Sequence, residues 1–158
     1  MKKTSKIMLA IIGIVFSCAI LLIFISAVKA EDLDSISKEK KALHHQSNGN
    51  RYDDASKFKE AVVEYKESLK YAPDDPNTHF NLGQVYLKIN NPEEAVKAFE
   101  KVIEIEPKDS EAHNLLGIAF RGCGKSKEAV RTWKKSLKIN PDQPEVQQMI
   151  KETIETMK

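Results

Sequence analysis

Three histidines, His45, His79 and His113, recur at intervals of 34 residues, and His44 adds a fourth. Imidazoles at a fixed spacing invite a metal reading, since neutral ring nitrogens are common ligands. The interval argues against it. Equivalent positions on successive packed helices lie roughly 8–10 Å apart, whereas ligands sit ~2 Å from a shared ion. His44 and His45 point about 100° apart on a helix, so they form no bidentate site. The histidines therefore read as packing residues, and no metal ligand is expected. Two cysteines, Cys18 and Cys123, are too few for a disulfide framework or a Cys-rich metal site, and no CxxCH motif is present. Cys18 reads as a small apolar residue. Cys123, between Gly122 and Gly124, is either an inert turn residue or a thiol that pairs between molecules. The chain has no nucleophile elbow, no phosphate-cradling glycine loop and no HExxH. No catalytic residue and no cofactor is expected, and the chain does not read as an enzyme.

Charge narrows the classes further. The 158 residues carry 25 Lys and Arg against 23 Asp and Glu, a net +2. Four lysines and no acid fall in residues 1–30, so the remainder is mildly acidic. A mixed, slightly acidic body argues against a dedicated nucleic-acid binder, which needs a basic surface.

Residues 7–28 are uncharged, preceded by Lys2, Lys3 and Lys6 and followed by Glu31, Asp32 and Asp34. At ~1.5 Å per residue a helix of that length matches a ~30 Å hydrocarbon core. Flanking lysines hold the N-terminus in the cytoplasm, so the body is expected to be exported. The length favours a retained inner-membrane anchor with the body on the periplasmic side. Val28-Lys29-Ala30 offers the alternative, a signal peptide cleaved before Glu31. The segment 31–41, EDLDSISKEKK, contains no Gly or Pro and reads as a helical, hydrated spacer.

The elements beyond it are set by a period of 34. Pro73, Pro107 and Pro141 share that spacing, as do Ala61, Ala95 and Ala129, and the aromatics Tyr65, Phe99 and Trp133. Gly49, Gly83 and Gly117 keep the register, as do Tyr52, Tyr86 and Phe120. Each unit reads as two helices. In 76–109 the first carries Leu82, Val85, Tyr86 and Ile89 on one stripe. Asn91 fits an N-cap with Glu94 three residues on, and Pro92 suits the first helical position. Ala95, Phe99, Val102 and Ile103 face inward on the second helix, which Pro107 terminates. Small residues at Gly83 and Ala95 allow close approach beside Phe99. After Pro141, Asp142 and Glu145 suggest a capping box for a last helix over 144–158, with Val146, Met149, Ile150, Ile154 and Met157 as its apolar stripe. Such a helix would close the core of the array.

These slots closely resemble the tetratricopeptide repeat (TPR), a 34-residue helix–turn–helix unit. The resemblance covers 42–143: a divergent first repeat (42–75, with Asn48 where the family prefers leucine), a second (76–109) and a third (110–143). It implies an all-α, right-handed superhelical array of three TPR units plus a capping helix, preceded by the hydrophobic N-terminal helix. It also implies that the first helices of the repeats line a concave groove for peptides or protein segments. The projected groove residues are Gln46 and Asn50 from repeat one, and Asn77, Phe80, Asn81, Gln84, Leu87 and Lys88 from repeat two. Repeat three adds Glu111, Asn114, Ile118 and Arg121. Carboxamides both donate to and accept from a peptide backbone. Phe80, Leu87 and Ile118 would form an apolar floor, and Lys88 and Arg121 would draw an acidic segment. TPR co-chaperones that grip acidic heat-shock-protein C-termini use two lysines, two asparagines and an arginine. Asn50 and Asn81 match, but Gln46 and Glu111 stand at the lysine slots and Leu115 at the arginine slot, so that specificity is not expected.

The function expected from the resemblance is a non-catalytic scaffold or assembly factor for a membrane-associated complex, with a protein or peptide partner. Two alternatives stand beside it. One is a periplasmic chaperone holding unfolded clients, similar to membrane-bound TPR domains of cytochrome-c maturation. The other is a homo-oligomeric subunit pairing through Met149, Ile154 and Met157.

Overall fold

A computed structural model describes residues 32–157; the expected anchor or signal segment lies outside the described residues. The chain divides into two compact units at Lys40 and Lys41. In the first, the described residues 32–40 are helical, with Lys38 paired to Asp34 at 2.7 Å. Among the described residues no helix is long and apolar enough to cross a membrane.

The second unit is all helix and turn. Helical residues 41–54 form α1, followed by α2 (Phe58–Tyr71), α3 (Pro76–Lys88), α4 (Pro92–Ile105), α5 (Ser110–Gly122), α6 (Ser126–Ile139) and α7 (Pro144–Thr156). From α2 onward each helix packs on the next. On α1, the Ala42 carbonyl accepts a 2.7 Å bond from Ser68 of α2, which seats the first hairpin. Taken in pairs, these helices form the hairpins α1–α2, α3–α4 and α5–α6.

The period acts through one contact made three times. Tyr65, Phe99 and Trp133 are 0–1% exposed. Each lies directly against the glycine of its partner helix. A Cβ on Gly49 would meet the Tyr65 ring at 2.6 Å, one on Gly83 the Phe99 ring at 2.7 Å, and one on Gly117 the Trp133 indole at 2.3 Å. Only a residue without a side chain lets these helices close on so large a ring. Ala61, Ala95 and Ala129, all fully buried, keep the second helix equally near. The aromatics anchor two apolar clusters, one around Tyr65 and Phe99 and one around Trp133 and Val146.

The turns repeat as well. Ser56, Asn90 and Gly124, each 34 residues apart, take φ of 57°, 56° and 72° between the two helices of their hairpins. Asp75 and Asp109 cap the first helices of the next repeats: Asp75 accepts from Thr78 N at 2.9 Å, and Asp109 from Ala112 N at 2.9 Å.

Two capping expectations need correction. Asn91 does sit at the N-cap of α4, but its side chain makes no cap bond, and Glu94 pairs with Lys97 instead. The α7 N-cap is Gln143 and not Asp142, and Gln143 makes no cap bond either. Its amide reaches back to the Asn140 carbonyl at 2.7 Å and to Ser136 Oγ at 3.0 Å, fastening α7 to the end of α6.

Helix α7 repeats the first-helix pattern a fourth time. Val146 and Thr153 are buried where Ala112 and Ala119 are buried in α5. Met149, Ile150 and Ile154 pack against the Trp133 cluster. Of the three residues expected to pair between copies, two are thus packed within the chain and Met157 is exposed. Lys151 stands where Gly117 stands in α5, and it is exposed.

Candidate functional site

The projected groove residues fall on α1, α3 and α5. Polar bonds tie α1 to α3, and α3 also touches α5. At the centre of this face Asn81 Nδ2 donates to Asn50 Oδ1 at 3.1 Å, and the Tyr65 hydroxyl donates to the same oxygen at 2.8 Å. Two donors on Oδ1 fix which way the Asn50 amide points. Asn50 Nδ2 and Asn81 Oδ1 are left as an adjacent donor and acceptor with no partner among the described residues.

The other α1 residues are more engaged than their sequence suggests. Gln46 Nε2 donates both to Asp75 Oδ2 at 2.7 Å and to Thr78 Oγ1 at 2.8 Å, locking repeat one onto repeat two. Thr78 Oγ1 in turn donates to Asp75. Lys88 Nζ lies 2.7 Å from both Asp53 carboxylate oxygens and 5.6 Å from the Phe58 ring centroid. Its charge is therefore balanced before any ligand arrives. Arg121 is exposed, with its guanidinium 5.4 Å from the Trp133 ring centroid and no carboxylate in ion-pair range among the described residues. Of Lys88 and Arg121, it is the one without a paired carboxylate among the described residues.

Phe80 is half-buried, edge-on to Phe99 at 5.8 Å. Leu87, Ile118 and Arg121 share a depression with Asn90, Pro92 and Gly122. Asn77 is exposed and Gln84 half-buried, neither with a side-chain partner among the described residues, and Glu111 is exposed. Asn114 differs from its neighbours. Its backbone carbonyl accepts from the Trp133 indole at 3.0 Å, while its side-chain Oδ1 is buried without a hydrogen-bond partner.

The histidines lie apart from this face in role. His79 Nε2 donates to the Pro73 carbonyl at 2.8 Å and His113 Nε2 to the Pro107 carbonyl at 3.1 Å. Gln147, the equivalent on α7, donates to the Pro141 carbonyl at 3.3 Å. Each thus stitches a first helix to the end of the preceding repeat. His45 has no preceding repeat; it bonds Glu64 at 2.8 Å and stacks on Tyr71 with centroids 5.9 Å apart. Among the described residues no three His, Cys, Asp or Glu side chains converge on a point. Cys123 is half-buried in the α5–α6 turn, where burial first and the Glu93 carboxylate second push its thiol above the ordinary range.

Sequence reasoning missed Asp53 and Asp75 as partners of the residues on this face, and the buried Thr78 and Tyr65 as supports beneath it. Only the Asp75–Thr78 cap carried a local signal, an acid three residues before a helical threonine. The others act across 15 to 35 residues of sequence.

Stacked helical hairpins with a glycine–aromatic contact in each define a helical-repeat domain. The family model described as Tetratricopeptide repeat matches residues 54–119 and 91–152. The chain belongs to that family. The first TPR of Spaghetti (RPAP3), solved bound to the HSP90 peptide SRMEEVD, is 20% identical with a TM-score of 0.71; the match covers 75% of this chain and 94% of that one. The second TPR domain of human RPAP3, in complex with the HSP70 peptide SGPTIEEVD, is 22% identical with a TM-score of 0.69, covering 73% and 97%. The MamA protein is 20% identical with a TM-score of 0.72, covering 75% of this chain and 64% of MamA. At these identities the likeness is one of fold. A search of curated proteins finds no match.

Proposed function

We propose that this protein is a non-catalytic interaction module whose α1/α3/α5 face holds an extended segment of a partner protein. The anchor reading of residues 7–28 makes it an inner-membrane scaffold or assembly factor with its repeats on the periplasmic side. The observation that carries the proposal is the Asn50–Asn81 pair. Its bonds leave a donor and an acceptor side by side, the complement of one peptide unit of an extended chain. RPAP3 domains of the same fold are solved with peptides, which supports this use of the face. The ligand's end would differ from theirs, because Gln46 is occupied by Asp75 and Thr78, Lys88 by Asp53, and Glu111 opposes a carboxylate.

Crosslinking of the native membrane-associated protein, with mass spectrometry of the adducts, would identify the partner segment. Titration calorimetry of that segment against the full chain should then show Asn81→Ala with Arg121→Ala weakening binding about tenfold or more, at unchanged helicity. Full affinity in the double variant would place the interface elsewhere.

A further inference from the structure

Helix α6 exposes a charge pattern that its counterparts lack. Lys127, Arg131, Lys134, Lys135 and Lys138 are all exposed. At about 100° per residue they fall within one stripe roughly 100° wide, along about 17 Å of helix. None of the five has an ion-pair or hydrogen-bond partner among the described residues. Glu128 borders the stripe, and Glu100 lines the same depression as Arg131 and Lys135, both beyond ion-pair distance.

The same scaffold positions in the earlier repeats are chemically different. On α4 they are Glu93, Lys97, Glu100, Lys101 and Glu104, with Lys97 paired to Glu94 and Lys101 to Glu104 at 2.6 Å. On α2 they are Lys59, Val63, Lys66, Glu67 and Lys70, with Lys70 paired to Glu67 at 2.5 Å. Solvation of a surface helix is met by such alternating, paired charges. An unbroken cationic stripe confined to the third repeat instead offers a face for an anionic partner.

We propose that the exposed face of α6 lies against an anionic lipid surface. Four of the five cations are lysines, flexible point charges suited to a mobile array of headgroups, whereas paired recognition of fixed carboxylates favours arginine. The stripe holds no aromatic or large apolar residue, so it lacks both the buried anchors of a protein interface and the stacking surfaces that hold bases. The uncharged run 7–28 supplies the bilayer. The proposal rests on the anchor reading for where the membrane comes from, and not on the peptide groove.

The full chain reconstituted into zwitterionic vesicles, and into vesicles about one-third phosphatidylglycerol, would be treated with a membrane-impermeant amine reagent and mapped by mass spectrometry. Labelling of Lys127, Lys134, Lys135 and Lys138 should fall at least about threefold on the anionic vesicles and recover in about 0.5 M salt. Lys59 and Lys66 of α2 should not change. Lys134→Glu with Lys135→Glu should abolish protection of Lys127 and Lys138 at unchanged helicity. Equal labelling on both vesicle types would overturn the proposal, as would protection by a soluble acidic polypeptide with none by anionic lipid. If the chain does not float with zwitterionic vesicles the anchor reading falls; flotation with anionic vesicles that Lys134→Glu with Lys135→Glu abolishes would then uphold the α6 proposal, and flotation that this variant keeps, or none at all, would end it.

Discussion

The Trp133 indole stands so close to Gly117 that a methyl group there would lie 2.3 Å from Nε1, and that nitrogen donates at 3.0 Å to the Asn114 carbonyl on the same helix. The indole is at once the wedge between α5 and α6 and their polar link. Gly117→Ala should therefore cost about 1–3 kcal/mol, by displacing the ring and lengthening that bond. Thermal unfolding measures the loss, and the emission of this single tryptophan reports the displacement. Gly83→Leu should be worse, since a larger side chain meets Phe99, which is wholly buried.

The left-handed turn residues give a prediction of opposite sign. Ser56 holds φ 57°, the conformation Gly124 adopts at 72° in repeat three. A side chain there costs about 1–2 kcal/mol. Ser56→Gly should raise stability by up to about 1 kcal/mol and Gly124→Ala should lower it by a similar amount, both read from denaturant midpoints at constant m-value.

The inter-repeat bond from His113 to Pro107 should be transferable to a carboxamide, because Gln147 makes the same bond to Pro141. His113→Ala would strand a carbonyl and open a gap, for about 1–3 kcal/mol. His113→Gln should recover part of that. Equal losses in the two variants would show that ring packing, and not the hydrogen bond, holds the repeats together.

Burial, and then the Asp53 and Asp54 carboxylates, push the Tyr65 hydroxyl up from 10.0 to about 12. A raised pKa in the folded chain means that this group's contribution is fully present below pH 10. It is lost as pH climbs from 10 to about 12, where the unfolded chain ionises and the folded one does not. Tyr65→Phe should be less stable at neutral pH for want of the Asn50 bond, and the gap between the two proteins should close across that window. Chemical denaturation at stepped alkaline pH measures it. A gap independent of pH would assign the loss to packing.

The hairpins could be read from the sequence because their determinants are local and repeated. A glycine, an alanine, a proline and two aromatics in fixed register each act within one hairpin, so five columns suffice to place the helices. The α1/α3/α5 face was less legible. Asn50 and Asn81 were projected onto one face from register alone, but nothing in the sequence shows that Asp53 neutralises Lys88, since that pairing depends on how one repeat is rotated on the next. Capping failed for a different reason. Asn91 has the right identity and position, yet Pro92 already supplies the first helical turn and its neighbours bond elsewhere. Gln143 displaced Asp142 because its longer amide reaches Ser136, a contact 7 residues back that no capping pattern encodes.

Lys151 occupies the slot that glycine fills in α1, α3 and α5. A helix seated on α7 as α6 is seated on α5 would bring its wedge ring against the exposed Lys151 side chain, which would have to swing aside to admit it. The last helix thus presents a long cationic side chain where each earlier first helix presents a bare backbone, and Lys151→Gly would restore the surface on which a wedge ring can sit.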